Sequence, residues 1–368
     1  MSSSSSSGPQ RVTAPNSEPS AALRGRVAAA LSEGSLVVLP TETVYGIAAR
    51  ADSERAMQAL SVLKCRPRDQ GWTWHVGDAQ ALERFDAPSG LARRLTESCW
   101  PGPLTLVLPG VPPGLERAAR DGWTGVRCVS HALTGSLLAG LDFPVVMTSA
   151  NPRGASPASD ADAAASATGT GIDLLVDAGP ARGGAASSVL RLGRSHFELL
   201  REGPHDLDGL RRAAGLRIGL ACTGNTCRSP MAEGLAGWAI ARRLETEVEH
   251  LAEFGFHLRS MGVFAGDGAP ASSHAVEACR VRGIDIADHC SRGVHANEVA
   301  DLQRIYCMTR AHVDALRLLL GRTGKATIEL LDSDGEDIPD PIGGSLHDYQ
   351  HCAEHISGCI AARIDEWA

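Results

Sequence analysis

The sequence predicts an α/β protein of two domains: a twisted mixed sheet with helices over 21–204, and a doubly wound parallel sheet carrying a phosphate-binding loop over 216–368. Three observations predict it. The 368 residues exceed the size at which a single hydrophobic core keeps growing. Helix-like and strand-like apolar patterns alternate along the chain. A charged stretch over 205–215 without a strand signal separates two such series and reads as a linker.

The elements follow in order. Residues 1–20, with serines from Ser2 to Ser7 and then Gly, Pro, Gln and Asn, lack the basic start and apolar centre of a signal peptide and read as a disordered tail. Ala21 to Leu31 reads as a helix stopped by Gly34, and Leu36 to Leu39 as a strand ending at Pro40. Ser53 suits the N-cap of a helix through Leu63. Thr105 to Leu108 and Phe143 to Met147 read as strands. Ala155 to Thr170 is a weak helix or surface excursion, and Ala178 to Ser188 a mobile Gly/Ala-rich loop. Past the linker come strand Arg217 to Ala221, helix Pro230 to Arg243, a strand near Ser260 to Phe264, helix Ser272 to Arg282, strand Arg304 to Met308, helix Ala311 to Gly321, strand Thr327 to Leu331 and a last helix to Trp367. Such alternation predicts parallel strands with a ligand at their carboxyl ends.

Hydrophobic residues at 43% and charged residues at 21% are ordinary for a globular chain, and 4% aromatic content leaves packing to aliphatic side chains. A net charge of -8 excludes a global pull toward nucleic acid or anionic membrane. Ten scattered cysteines read as reduced thiols of a cytoplasmic protein. With no paired C-x-x-C units and no apolar run of about 20 residues, neither a metal nor a membrane is expected.

The chemistry concentrates in Cys222-Thr223-Gly224-Asn225-Thr226-Cys227-Arg228-Ser229. A thiol at a strand end, an Arg six residues on, and a helix opening at Ser229-Pro230 make a loop whose backbone N–H groups converge on an oxyanion, with Gly224 relaxing the turn. The same field favours a thiolate, so Cys222 is the expected nucleophile, aided by the Ser229 hydroxyl. Arg228 is placed to grip two phosphate oxygens. Asp340, in Asp340-Pro341-Ile342-Gly343-Gly344, is the expected general acid and later the base for water. Cys227 either traps Cys222 as a disulfide under oxidation or simply packs.

Over about 216–368 the chain resembles the low-molecular-weight protein-tyrosine phosphatase family, on Cys222 to Glu233, Ser260-Met261-Gly262-Val263, His289-Cys290-Ser291-Arg292 and Asp340 to Tyr349. The resemblance implies Cys222 as nucleophile, Arg228 as phosphate binder, Asn225 and Ser229 as loop supports and Asp340 as acid, with no cofactor and a phosphorylated protein as substrate. Thr226 is similar to the arginine-phosphatase branch of the family, whereas Ile342 matches neither branch. Phosphoarginine, phosphotyrosine and arsenate reduction therefore stand as alternatives, in that order.

Over about 21–204 the motifs Pro40-Thr41-Glu42-Thr43-Val44-Tyr45-Gly46, Lys64-Cys65-Arg66-Pro67, Trp100-Pro101-Gly102-Pro103-Leu104-Thr105, Thr148-Ser149-Ala150-Asn151, Ser187-Ser188-Val189 and Arg201-Glu202-Gly203 resemble the threonylcarbamoyl-AMP synthase family. The resemblance implies synthesis of threonylcarbamoyl-adenylate from threonine, bicarbonate and ATP with Mg²⁺, serving tRNA modification with tRNA or partner proteins. It implies that Thr43, His75 and Arg127 touch threonine and that Lys64, Arg66, Thr105, Ser149, Asn151, Ser187 and Arg201 serve the nucleotide. Gln70-Gly71-Trp72 departs from the family's Lys-Pro-Leu, removing one cation. The alternative to a synthase is an inactive RNA- or nucleotide-binding module.

Overall fold

The computed structural model describes residues 9–65, 71–86, 88–152, 154–194, 196–295, 299–321 and 325–368. Apart from the short segment Ser89–Leu91, two compact units divide the chain between Leu210 and Arg211.

The first unit is built on a ten-stranded mixed sheet. Its strands are β1 Gln10–Thr13, β2 Val37–Leu39, β3 Gly46–Arg50, β4 Thr73–Val76, β5 Leu104–Pro109, β6 Trp123–Cys128, β7 Val145–Ser149, β8 Leu174–Asp177, β9 Ser188–Gly193 and β10 His196–Arg201, in the order β1-β8-β2-β3-β7-β4-β6-β5-β9-β10. Helices α1 Ala21–Ser32, α2 Glu54–Leu63, α3 Gly90–Cys99, α4 Ala132–Ala139 and α5 Ala161–Thr168 connect them. Leu23, Val27 and Leu31 of α1 recur at the spacing that puts them on one face, and with Leu133 and Leu137 of α4 they bury Val37, Ala48, Val145 and Val176 of the sheet. Ser20 and Ser53 cap α1 and α2 by accepting the amides of Leu23 and Ala56.

Two expectations are corrected here. The tail read as disordered over 1–20 contains β1, which pairs in parallel with β8; Arg11 bonds Asp177 and Asp162, so a segment with little apolar content is held by edge pairing and charge. The linker over 205–215 contains α6 Leu207–Ala214, whose Leu210 and Ala214 are fully buried. Strands such as β3, Gly-Ile-Ala-Ala-Arg, escape sequence reading because small residues carry little strand preference, and burial between β2 and β7 decides.

The second unit follows the expected plan. Strands β11 Leu216–Cys222, β12 Phe256–Gly262, β13 Arg304–Cys307 and β14 Thr327–Leu330 form an all-parallel sheet in the order β12-β11-β13-β14. Helices α7 Arg228–Arg243, α8 Ser273–Arg280, α9 Arg310–Leu320 and α10 Leu346–Trp367 accompany them. The chain leaves β11 for β12 on one side and returns to β13 on the other, so the carboxyl end of β11, at Cys222, lies at the switch point where such sheets bind ligands. Among the described residues, no helix is long and apolar enough to cross a membrane.

Candidate active sites

In the second unit β11 ends on Cys222 and α7 opens on Arg228, so the five-residue connection is forced into a tight loop at a helix N-terminus. Cys222 is 3% exposed; its Sγ lies 2.9 Å from Ser229 Oγ and accepts the Asn225 N–H at 3.3 Å. The sulfur therefore faces the Ser229 hydroxyl and a backbone N–H. Asn225 makes the turn: its φ is 53°, a left-handed conformation that Asn tolerates, and its side chain donates to Ser229 Oγ at 2.9 Å and accepts the Arg292 N–H at 2.8 Å. Asn225, not Gly224, relaxes the loop. Gly224 has an ordinary negative-φ backbone, and a Cβ there would meet only Thr226 Oγ1 at 3.7 Å. The glycine that matters is Gly262 at the end of β12, where a Cβ would come within 2.6 Å of Thr223 O and 2.9 Å of Asn225 N.

Arg228 is 4% exposed and spans the site. Its Nη1 donates to Ile338 O at 3.1 Å, its Nη2 to Thr223 Oγ1 at 3.3 Å and to the Asp340 carboxylate, and its buried Nε has no partner among the described residues. That Nε and the adjacent Nη2 form an edge of the geometry that pairs with an oxyanion in bidentate fashion. Cys227 precedes α7 without a side-chain cap, and its thiol contacts Tyr349 Oη at 3.3 Å and Ser272 Oγ at 3.6 Å. Thr226 is half-buried and Ile342 is 70% exposed.

In this unit sequence reasoning missed His312. His312, buried in the first turn of α9, meets Thr223 Oγ1 through Nε2 and Thr309 Oγ1 through Nδ1, both at 2.9 Å. Burial, and then the Arg228 charge, push it down to about 4, so it is a neutral support for the loop. Asp340 is held by Arg228 over the loop, and Asp340→Asn is expected to slow turnover by roughly 10²–10⁴-fold, the range for a positioned acid, measured as kcat on an aryl phosphate.

In the first unit a cleft of about 460 Å³ is lined by Thr43, His75, Thr105, Arg127, Ser149, Ser187 and Arg201. Strand register does the gathering: His75 of β4 pairs with Arg127 of β6, and Gly46 of β3 pairs with Ser149 of β7. Arg127 is 4% exposed and donates to Thr43 Oγ1 at 2.9 Å, Glu42 Oε1 at 2.7 Å and Gly102 O at 3.2 Å. Thr105 Oγ1 and Ser187 Oγ lie 2.9 Å apart, and Arg201 reaches Ser187 O at 2.9 Å and its hydroxyl at 3.1 Å. Burial, then the neighbouring Arg127 charge, hold Arg201 below its ordinary value, a repulsion that an anion between them relieves. The loop read as mobile crosses this wall: Gly183 and Gly184 donate to Glu42 O and Thr43 O at 2.9 and 3.0 Å, and a Cβ on Gly183 would come within 2.8 Å of Glu42 O.

Two expected nucleotide residues stand behind the wall. The buried Lys64 ammonium donates to Ser149 O at 2.9 Å and to Asn151 Oδ1 and O. Asn151 in turn accepts from Ser149 Oγ and donates to Ala155 O. Both therefore shape the Ser149 turn. Arg66 and Gln70 lie outside the described residues. Arg120 and Arg191 line the cleft unanticipated, with the Arg191 guanidinium 4.2 Å over the Trp123 ring.

His75 is 8% exposed, and its Nδ1–H donates to Thr73 O at 3.0 Å. Burial, and then Arg127, push it down to about 3. In the unfolded chain its ordinary value is near 6.5, so between these limits the unfolded state binds the extra proton and stability falls as pH falls. His75→Gln is expected to remove this acid sensitivity, a slope of up to about 1.4 kcal/mol per pH unit, from melting temperatures recorded between pH 7 and pH 4; identical slopes in both proteins would refute a buried neutral ring.

Comparison with known proteins finds a different family in each half of the chain. The Sua5/YciO/YrdC family model, described as telomere recombination, matches residues 29–203, and the low molecular weight phosphotyrosine protein phosphatase model matches 217–363. The threonylcarbamoyl-AMP synthase of Halorhodospira halophila is 34% identical over 179 residues, 47% of this chain and 92% of that protein. Its counterpart from Pyrococcus abyssi is 33% identical over 216 residues, 57% of this chain and 63% of the relative. The low molecular weight protein tyrosine phosphatase of T. tengcongensis is 34% identical, with 41% of this chain and 98% of that one covered and a TM-score of 0.36. This chain thus joins a member of the Sua5/YrdC, threonylcarbamoyl-AMP synthase family to a member of the low-molecular-weight phosphotyrosine protein phosphatase family.

Proposed function

We propose that the protein is bifunctional: its first unit makes threonylcarbamoyl-AMP from threonine, bicarbonate and ATP, and its second hydrolyses a phosphorylated protein side chain through a cysteinyl-phosphate. The observation that carries the second activity is the Cys222 sulfur, bonded by Ser229 and the Asn225 amide and one short loop from Arg228, whose guanidinium holds Asp340 from a separate segment. The thiolate attacks phosphorus, the phosphorus–leaving-group bond breaks, and Asp340 supplies the leaving atom's proton. Water activated by the resulting carboxylate then releases phosphate from the sulfur. Arg228 and the loop amides carry the charge of the transferring group.

For the first unit, the convergence of Thr43, Arg127 and Arg201 on one cleft supports an acid-bearing amino acid beside a nucleotide. Mg²⁺ enters with ATP as part of the substrate, since the charged lining is mainly cationic, with Arg120, Arg127, Arg191 and Arg201 against Asp121. These cations favour an active synthase over a merely RNA-binding module despite the departure at Gln70-Gly71-Trp72. The half-buried Thr226 hydroxyl near the loop favours a guanidinium leaving group, hence phosphoarginine ahead of phosphotyrosine.

The full chain incubated with ATP, threonine and bicarbonate is expected to release pyrophosphate only when all three are present, and to release phosphate faster from phosphoarginine than from phosphotyrosine peptides. Absence of threonine-dependent pyrophosphate would reject the synthase, and a preference for phosphotyrosine would reverse the substrate order.

A further inference from the structure

Outside both sites one cluster of ligand-type side chains is left over among the described residues. Asp332 follows β14, and its Oδ2 lies 3.1 Å from His355 Nε2 and 3.5 Å from Cys359 Sγ. His355 and Cys359 are four residues apart on α10 and so share a face of the helix. All three ligand atoms fall within 4.8 Å of one another. Tetrahedral zinc, with bonds of about 2.0–2.2 Å to N and O and about 2.3 Å to S, sets its ligand atoms roughly 3.3–3.7 Å apart. The separations of Asp332 Oδ2 from the other two atoms, 3.1 and 3.5 Å, lie close to that spacing.

The trio is also chemically disposed to it. Asp332 Oδ1 is occupied by the Asp334 N–H at 2.8 Å, which orients the other oxygen toward His355 and Cys359. Cys359 is buried whereas His355 is about one-third exposed, so the cluster has one wet side. A cation at this place would bind sulfur as the thiolate, with the thiol proton passing to solvent. Arg363, one turn further on, is engaged by Leu330 O, Leu331 O and Glu366.

We infer that Asp332, His355 and Cys359 bind one zinc-type divalent cation through a carboxylate oxygen, an imidazole nitrogen and a thiolate, with water in the fourth position. The ion would tie the start of the segment leading to Asp340 onto α10, whose Cys352 thiol already meets Pro339 O at 3.7 Å at the segment's other end.

Cobalt titration of the full chain in a Cys222→Ser background, which removes the competing reactive thiolate, tests this. One Co²⁺ per chain is expected, with a near-ultraviolet thiolate-to-cobalt band that Zn²⁺ displaces. Cys359→Ser should abolish the band. His355→Ala should weaken Co²⁺ binding by at least about a hundredfold, since even partners outside the ligand shell are worth roughly 10–100-fold. No saturable one-to-one binding, a band surviving in Cys359→Ser, or unchanged affinity in His355→Ala would each overturn the site. Should the buried serine variant fail to fold, the half-exposed His355 variant decides alone.

Discussion

Replacing Cys222 by serine is expected to lower phosphatase turnover by at least roughly 10⁴-fold, the scale seen when an enzyme loses its nucleophile, while the loop keeps its affinity for an inert phosphate analogue. The two halves of this expectation have separate causes. Turnover needs a strong nucleophile that also leaves phosphorus readily in the second step. Sulfur at Cys222, contacted by the Ser229 hydroxyl and the Asn225 amide, serves both steps, whereas an alcohol is the poorer nucleophile and forms a much more stable phosphate ester. Binding rests instead on the loop amides and on Arg228, whose position is fixed by Ile338 O and Thr223, not by the sulfur. Calorimetric binding of the analogue beside steady-state rates separates the two. Residual turnover within tenfold of the parent would mean that the nucleophile lies elsewhere.

Removing the guanidinium of Arg127 should have the largest effect in the first unit. Arg127→Ala leaves Glu42 without its partner in a site where Arg127 is 4% exposed, and strips Thr43 Oγ1 and Gly102 O of a donor. Breaking such a pair from one side costs about 3–5 kcal/mol, so both threonine-dependent pyrophosphate release and the melting temperature of this unit should fall. Arg127→Lys should rescue stability in part but not activity, because an ammonium cannot reproduce the fork that reaches Glu42, Thr43 and Gly102 together. Calorimetric unfolding and pyrophosphate release measured on the three proteins check this. Equal activity in the lysine variant would show that charge alone suffices.

The phosphatase loop was the most legible part of the chain, because its chemistry is local. Eight consecutive residues contain the thiol, the Arg and the helix start, and the alternating pattern around them places the loop at a strand's carboxyl end. Even so, Gly224 and Asn225 could not be ranked from composition, since the left-handed turn is set by the bonds Asn225 makes to Ser229 and Arg292. His312 carried no signal, its partner Thr223 being far away in sequence. The metal-type trio is equally hidden: His355 and Cys359 share a helix face, but nothing in their spacing names Asp332.

By itself the sequence determined two α/β units, the candidate nucleophile, arginine and acid, and the helices of the second unit. Periodicity and motif spacing act over a few residues and survive without knowledge of the third dimension. Only the tertiary structure decided that residues as distant as Thr43 and Arg127 meet, that Lys64 faces carbonyls and not the cleft, and that the amino-terminal stretch contains a paired strand. Those outcomes depend on sheet order and register, where a shift of one residue turns every side chain to the opposite face.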